Sequence, residues 1–105
     1  MIHKTSTNQA WKPTPYEGVQ SCGLRRNDEG GGAVLVKVAK GARVPMHDHP
    51  GGEEIYVVSG QAVVDGVTLR TGDYLWTPPG VAHDLRADED TVLFVTTPNG
   101  VRVVE

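Results

Sequence analysis

The chain has 105 residues, with ten Lys and Arg against thirteen Asp and Glu for a net charge of −3. That length holds one core and excludes a second domain, and a domain this small buries only about two-thirds of its unfolded surface, so pairing as a homodimer is expected. The basic residues are scattered, which excludes nucleic acid as a partner; the absence of a long apolar window, and of an apolar run in Met1 to Asn8, predicts a cytoplasmic protein without membrane contact.

Residues 1–12 are polar and irregular and read as a flexible arm ahead of a single domain at 13–105. Pro13 and Pro15 keep the entry to that domain extended, and Trp11 and Tyr16 are the large apolar groups by which the arm would dock. Asp28-Glu29-Gly30-Gly31-Gly32 reads as an exposed loop, and Arg25-Arg26 as a solvated pair. Short β-type runs then follow one another, each closed by Gly, Pro or Asp. They are 33–39, 54–59, 61–64, 67–70, 74–77, 82–86, 91–97 and 101–104. No stretch of ten residues free of Gly and Pro carries helical periodicity, and the domain is therefore expected to be all-β. Regularly spaced short strands with turn signals predict a jelly-roll barrel, a double-stranded β-helix around one pocket. Cys22 is the single cysteine; it can form no disulfide within the chain and reads as a small apolar side chain.

Chemistry concentrates in His47-Asp48-His49. Side chains two apart on an extended segment share a face, so both imidazoles can converge on one ion. Pro50-Gly51-Gly52 are turn formers, and the reversal they impose should set Glu53 beside His49. Alternation along the next strand puts Glu53, Ile55 and Val57 inward and Glu54, Tyr56 and Val58 outward, which selects Glu53 over Glu54 as a ligand. After the rigid turn Pro78-Pro79-Gly80, His83 shares an inward face with Leu85 and Ala87, while Asp84 points away. The expected ligands are thus His47, His49, Glu53 and His83, and the expected pocket lining is Ile55, Val57, Leu85 and Ala87, with Val34, Val36 and Val38 opposite. Imidazole and carboxylate donors suit one divalent transition-metal ion, Fe2+ first and Zn2+, Ni2+, Mn2+ or Co2+ as alternatives, and argue against calcium.

The spacing Gly41-x5-His47-x-His49-x3-Glu53-x6-Gly60, followed by Gly72-x5-Pro78-x-Gly80-x2-His83, resembles the two motifs of the cupin superfamily. The resemblance implies a double-stranded β-helix with a metal held by His47, His49, Glu53 and His83. One position departs: the second motif normally ends in Asn, and this chain has Ala87. Trp11-x-Pro13-x-Pro15-x2-Gly18-Val19 and His49-Pro50-Gly51-Gly52-Glu53-Glu54 are similar to the cupin branch that holds the C-terminal domain of a zinc-dependent anti-sigma factor and the acetylacetone-cleaving dioxygenase. No additional N-terminal domain for gripping a sigma factor is expected here.

An apolar pocket beside a four-ligand metal favours a small, weakly polar ligand. The first expectation is an Fe(II)-dependent dioxygenase of a small enolisable or dicarbonyl compound, with Glu53 as ligand or base. The alternatives are a non-catalytic zinc-dependent binding or sensing domain, and a metal-dependent lyase or isomerase.

Overall fold

The computed structural model describes residues 1–104, and the fold is two antiparallel sheets packed face to face. Strands are β1 (Lys12–Pro13), β2 (Val19–Arg26), β3 (Gly32–Val38), β4 (Arg43–Asp48), β5 (Glu53–Ser59) and β6 (Gln61–Val64). They continue with β7 (Val67–Arg70), β8 (Tyr74–Thr77), β9 (His83–Ala87), β10 (Thr91–Thr97) and β11 (Arg102–Val103), and a short 3-10 turn covers Ser6–Asn8. One sheet runs β1-β2-β3-β10-β5-β8 and the other β11-β4-β9-β6-β7. Among the described residues no helix is long and apolar enough to cross a membrane.

The expectation of a closed barrel is corrected by this topology. Among the described residues no ladder joins one sheet to the other: β1 and β8 end the first sheet, and β11 and β7 end the second. The chain changes sheets at glycine corners. At Gly60 (φ +101°) it leaves β5 for β6, and an added Cβ would lie 2.4 Å from the Asp90 carbonyl oxygen, so only glycine turns there without strain. At the β7–β8 corner the turn that leaves the second sheet is bonded to the first, Gly72 N–H donating to the Val57 carbonyl at 2.8 Å. Such corners split continuing strands between two sheets, and the short end strands stop before they can pair across. The result is a sandwich with open edges.

Alternation within strands builds the core. In β5 the inward Ile55 and Val57 are 2% and 0% exposed, while Tyr56 and Val58 on the other face are about half exposed. Val38, Ala62, Val64, Leu69, Leu85, Ala87, Leu93 and Val95 join them in one apolar cluster. Tyr16 packs against that cluster, and Trp11 lies under the Lys37 ammonium, 4.1 Å from its ring centre. Cys22 is a buried free thiol.

Candidate metal centre

Three strands from both sheets bring the donors together at one end of the sandwich. His47 on β4 and His83 at the start of β9 are register partners in the five-stranded sheet. Glu53 opens β5 in the six-stranded sheet, and His49 lies one residue beyond β4. The turn between His49 and Glu53 is closed by Gly52 N–H donating to the His49 carbonyl at 2.9 Å. It carries the chain from one sheet to the other rather than forming a hairpin, because β4 and β5 are not neighbours. Gly52 sits at φ +82°, and a Cβ there would come 3.1 Å from the Thr77 carbonyl oxygen. The backbone angle therefore calls for glycine here, and the nearby carbonyl would crowd any side chain.

The four side chains are nearly sealed from solvent, at 6% (His47), 0% (His49), 5% (Glu53) and 3% (His83) exposure. One donor atom from each lies within 4.8 Å of all the others, and no second group of this kind occurs among the described residues. The imidazoles meet edge to face, with ring centres 4.7, 4.8 and 5.1 Å apart. His49 Nε2 lies 2.8 Å from Glu53 Oε2, and His83 Nε2 lies 3.1 Å from Glu53 Oε1. Even so, both ring nitrogens of His49 and Oε1 of Glu53 are buried without a well-formed hydrogen bond. Buried polar atoms are nearly always satisfied, and atoms that converge without bonding one another are what a cation would satisfy.

Neighbouring groups orient the rings. His47 Nδ1 is 2.6 Å from the Pro45 carbonyl oxygen, which can only accept, so Nδ1 carries the proton and Nε2 is left with its lone pair. His83 Nδ1 meets the Thr77 hydroxyl at a longer 3.4 Å, and Thr77 is itself the register partner of Glu53. Burial is the largest influence on His47 and lowers its pKa, with the Pro45 carbonyl opposing, which favours the neutral imidazole that a metal needs. On Glu53, burial pushes upward most strongly of any single influence, but His49 and His83 together outweigh it and hold the carboxyl below its ordinary value. The donor set of three imidazoles and one carboxylate can coordinate a divalent metal.

A cavity of about 200 Å³ opens beside the cluster. His47, Glu53 and His83 face it, and most of the remaining wall is hydrocarbon, including Val34, Val36, Ile55, Leu85, Leu93 and Val95. Of the four residues expected to line the pocket, Ile55 and Leu85 do. Val57 and Ala87 also point inward but sit in the packed core, where Ala87 pairs across from Ala62. The position where the cupin motif carries Asn therefore lies among apolar side chains here. Asp84 pairs outward with Arg43 at 3.0 Å. Sequence reasoning missed Thr14, Tyr16, Val101 and Val103 in the lining, and Thr77 behind His83. The docking expected of Tyr16 was the available signal for the first two; nothing local marked the others.

Residues 1–101 match the ChrR cupin-like domain family. The chain belongs to that family. It is 33% identical over 70 residues to the DNA damage-repair/toleration protein DRT102 of Arabidopsis thaliana, a match that covers 61% of this chain and 23% of that one. Among solved structures, an acetylacetone dioxygenase from Acinetobacter johnsonii superposes with a TM-score of 0.77 at 16% identity, covering 92% of this chain and 72% of the other. The anti-sigma ChrR of Rhodobacter sphaeroides, seen in complex with SigE, gives a TM-score of 0.74 at 22% identity. There the match covers 89% of this cupin and half of the matched chain.

Proposed function

We propose that this cupin is an Fe(II)-dependent dioxygenase acting on a small enolisable or dicarbonyl compound. The observation that carries the reading is the cavity: three donors of the cluster form one face, and no Lys or Arg is among its lining residues. A ligand there gains no charge pairing from the walls, so its polar end belongs at the cluster and its hydrocarbon against the valines and leucines. A bound ion would supply Lewis acidity toward a substrate oxygen and, as iron, redox chemistry with dioxygen. Glu53 acts as ligand in this reading, since it faces His49 and His83 from the opposite sheet and its depressed pKa makes it a weak base. Ile55, Leu85, Leu93 and Val95 exclude bulk water from the reacting end. The superposition on an acetylacetone dioxygenase supports the same reading.

Element analysis after purification without added metal, followed by oxygen-electrode assays on Fe(II)-loaded protein with small dicarbonyls, tests it. Near-stoichiometric metal with iron-dependent oxygen uptake is expected. Tightly held zinc or nickel without uptake would refute the dioxygenase and favour a zinc-dependent sensing domain. That second reading is supported by membership of the ChrR cupin-like family and by donors buried as in a closed structural shell. Homodimer formation is part of the proposal, with Tyr56, Tyr74 and Trp76 exposed side by side on β5 and β8 as its apolar surface; sedimentation equilibrium would show it.

A further inference from the structure

One wall of the metal cavity is made by the last described strand. In β11, Arg102 is the register partner of Asp48 and Val103 that of His47. Alternation then turns Val101 and Val103 toward the cavity, where both line it, and turns Arg102 to the opposite face. There Arg102 grips Asp48 through both nitrogens of its fork, Nε to Oδ1 at 3.1 Å and Nη2 to Oδ2. Asp48 is 4% exposed and stands between the donors His47 and His49, whereas the Arg102 side chain is 68% exposed.

The strand itself is slight. It is two residues long, pairs with β4 alone at a sheet edge, and follows Gly100 at φ +88°. Val101 and Val103 remain 55% and 49% exposed although they also face the cavity. Only a thin layer therefore separates the cavity from solvent on this side, and short edge segments of this kind open at the low end of the local stability range. The cavity volume of about 200 Å³ equals the liquid share of about seven waters and falls below the roughly 300 Å³ at which drug-sized pockets begin.

We propose that residues 101–103 form a movable wall that selects the ligand by size, and that the Arg102–Asp48 ion pair holds it closed. The ligand admitted is a compact oxygen-donor molecule with few carbons, uncharged or carrying a single negative charge at its donor end. Arg102 is a positioning residue in this scheme, since it touches neither the cluster nor the cavity. The ligand chemistry rests on the dicarbonyl reading above, but the gate does not.

The test uses zinc-loaded protein, so that no turnover intervenes. Wild type, Arg102→Ala and Val101→Phe are compared for metal content, for the rate at which dipicolinate extracts the metal, and for calorimetric binding of acetylacetone and the bulkier dibenzoylmethane. Arg102→Ala should keep its metal, lose it to the chelator at least about fivefold faster, and narrow the preference for acetylacetone by about tenfold. Val101→Phe, at a half-exposed site that tolerates bulk, should slow extraction and weaken acetylacetone binding. Equal extraction rates in all three proteins would overturn the gate. Wild-type protein that binds neither diketone would remove the dicarbonyl reading while the extraction rates still decide the gate.

Discussion

Removal of the metal should destabilise the fold by an amount the buried cluster sets. Three side-chain atoms, Nδ1 and Nε2 of His49 and Oε1 of Glu53, are sealed from solvent without hydrogen bonds. One ion can satisfy Oε1 of Glu53 and one ring nitrogen of His49, so at about 1 kcal/mol for each buried polar atom left unpaired, the low end of the range, its absence costs on the order of 2 kcal/mol. Ligand linkage gives a similar size, about 2.7 kcal/mol for free metal at a hundred times its Kd. For a domain of this length each kcal/mol moves Tm by about 4–8 °C, so stoichiometric Zn2+ should raise Tm by on the order of 10–20 °C over chelator-treated protein. Scanning calorimetry on matched metal-loaded and metal-free samples measures the shift. His49→Ala should bind substoichiometrically and lose most of it. The reasoning fails if loaded wild-type protein melts with its metal-free form, or if His49→Ala keeps full metal content and the full shift.

Val57→Ala removes two methyl groups from a side chain with no exposed surface; at about 0.8 kcal/mol each plus a cavity term, urea unfolding should show a loss of about 2–3 kcal/mol, with metal content unchanged. Asp84→Ala breaks an ion pair whose side chains are 46% and 36% exposed; stability should change by less than about 1 kcal/mol and metal stoichiometry not at all, although the residue adjoins His83. The metal-free protein should lose stability as pH falls below about 6.5, the ordinary histidine value. Burial lowers the folded pKa of His47, so the unfolded chain takes up its proton first and stability drops from the unfolded value down to the folded one. The lowered pKa values of Asp48, chiefly from Arg102, and of Glu53 add a second loss in the more acid range, again from the unfolded values downward. Chelator-treated samples unfolded in urea at about pH 7.5 and 5.5 should show the first loss, and equal midpoints would refute it.

The cluster was legible because its information is local. His47 and His49 are two apart on an extended segment, Glu53 follows a turn that Gly52 must make, and alternation along β5 separates Glu53 from the exposed Glu54. The strand β2 was not foreseen, since Gly23 and Arg25-Arg26 interrupt its pattern at the bulge where its register on β3 shifts. Sheet closure was misjudged for a different reason. Whether end strands meet depends on pairings between segments far apart in sequence, and the motifs contain no record of them. The same holds for Val101 and Val103, which reach the cavity only because β11 returns to β4 across more than fifty residues.

The open sandwich gives the metal site a structural consequence. Since no ladder among the described residues joins the two sheets, they are held by the apolar core, by corner bonds, and by whatever links side chains across the open end. Glu53 comes from the six-stranded sheet, His47 and His83 from the five-stranded one, and His49 from the turn between them. One ion held by these donors would tie both sheets at the open end, outside the ladder that joins β9 to β6. Without it, a carboxylate and three imidazoles face one another there with incomplete hydrogen bonding. Metal loss should therefore loosen the cluster end first, where β11 already pairs with only one strand. Hydrogen exchange that rises upon chelation in β4, β9 and β11 ahead of β6 and β7 is the expected pattern, and a uniform rise across both sheets would show that the ion does not act as a link between them.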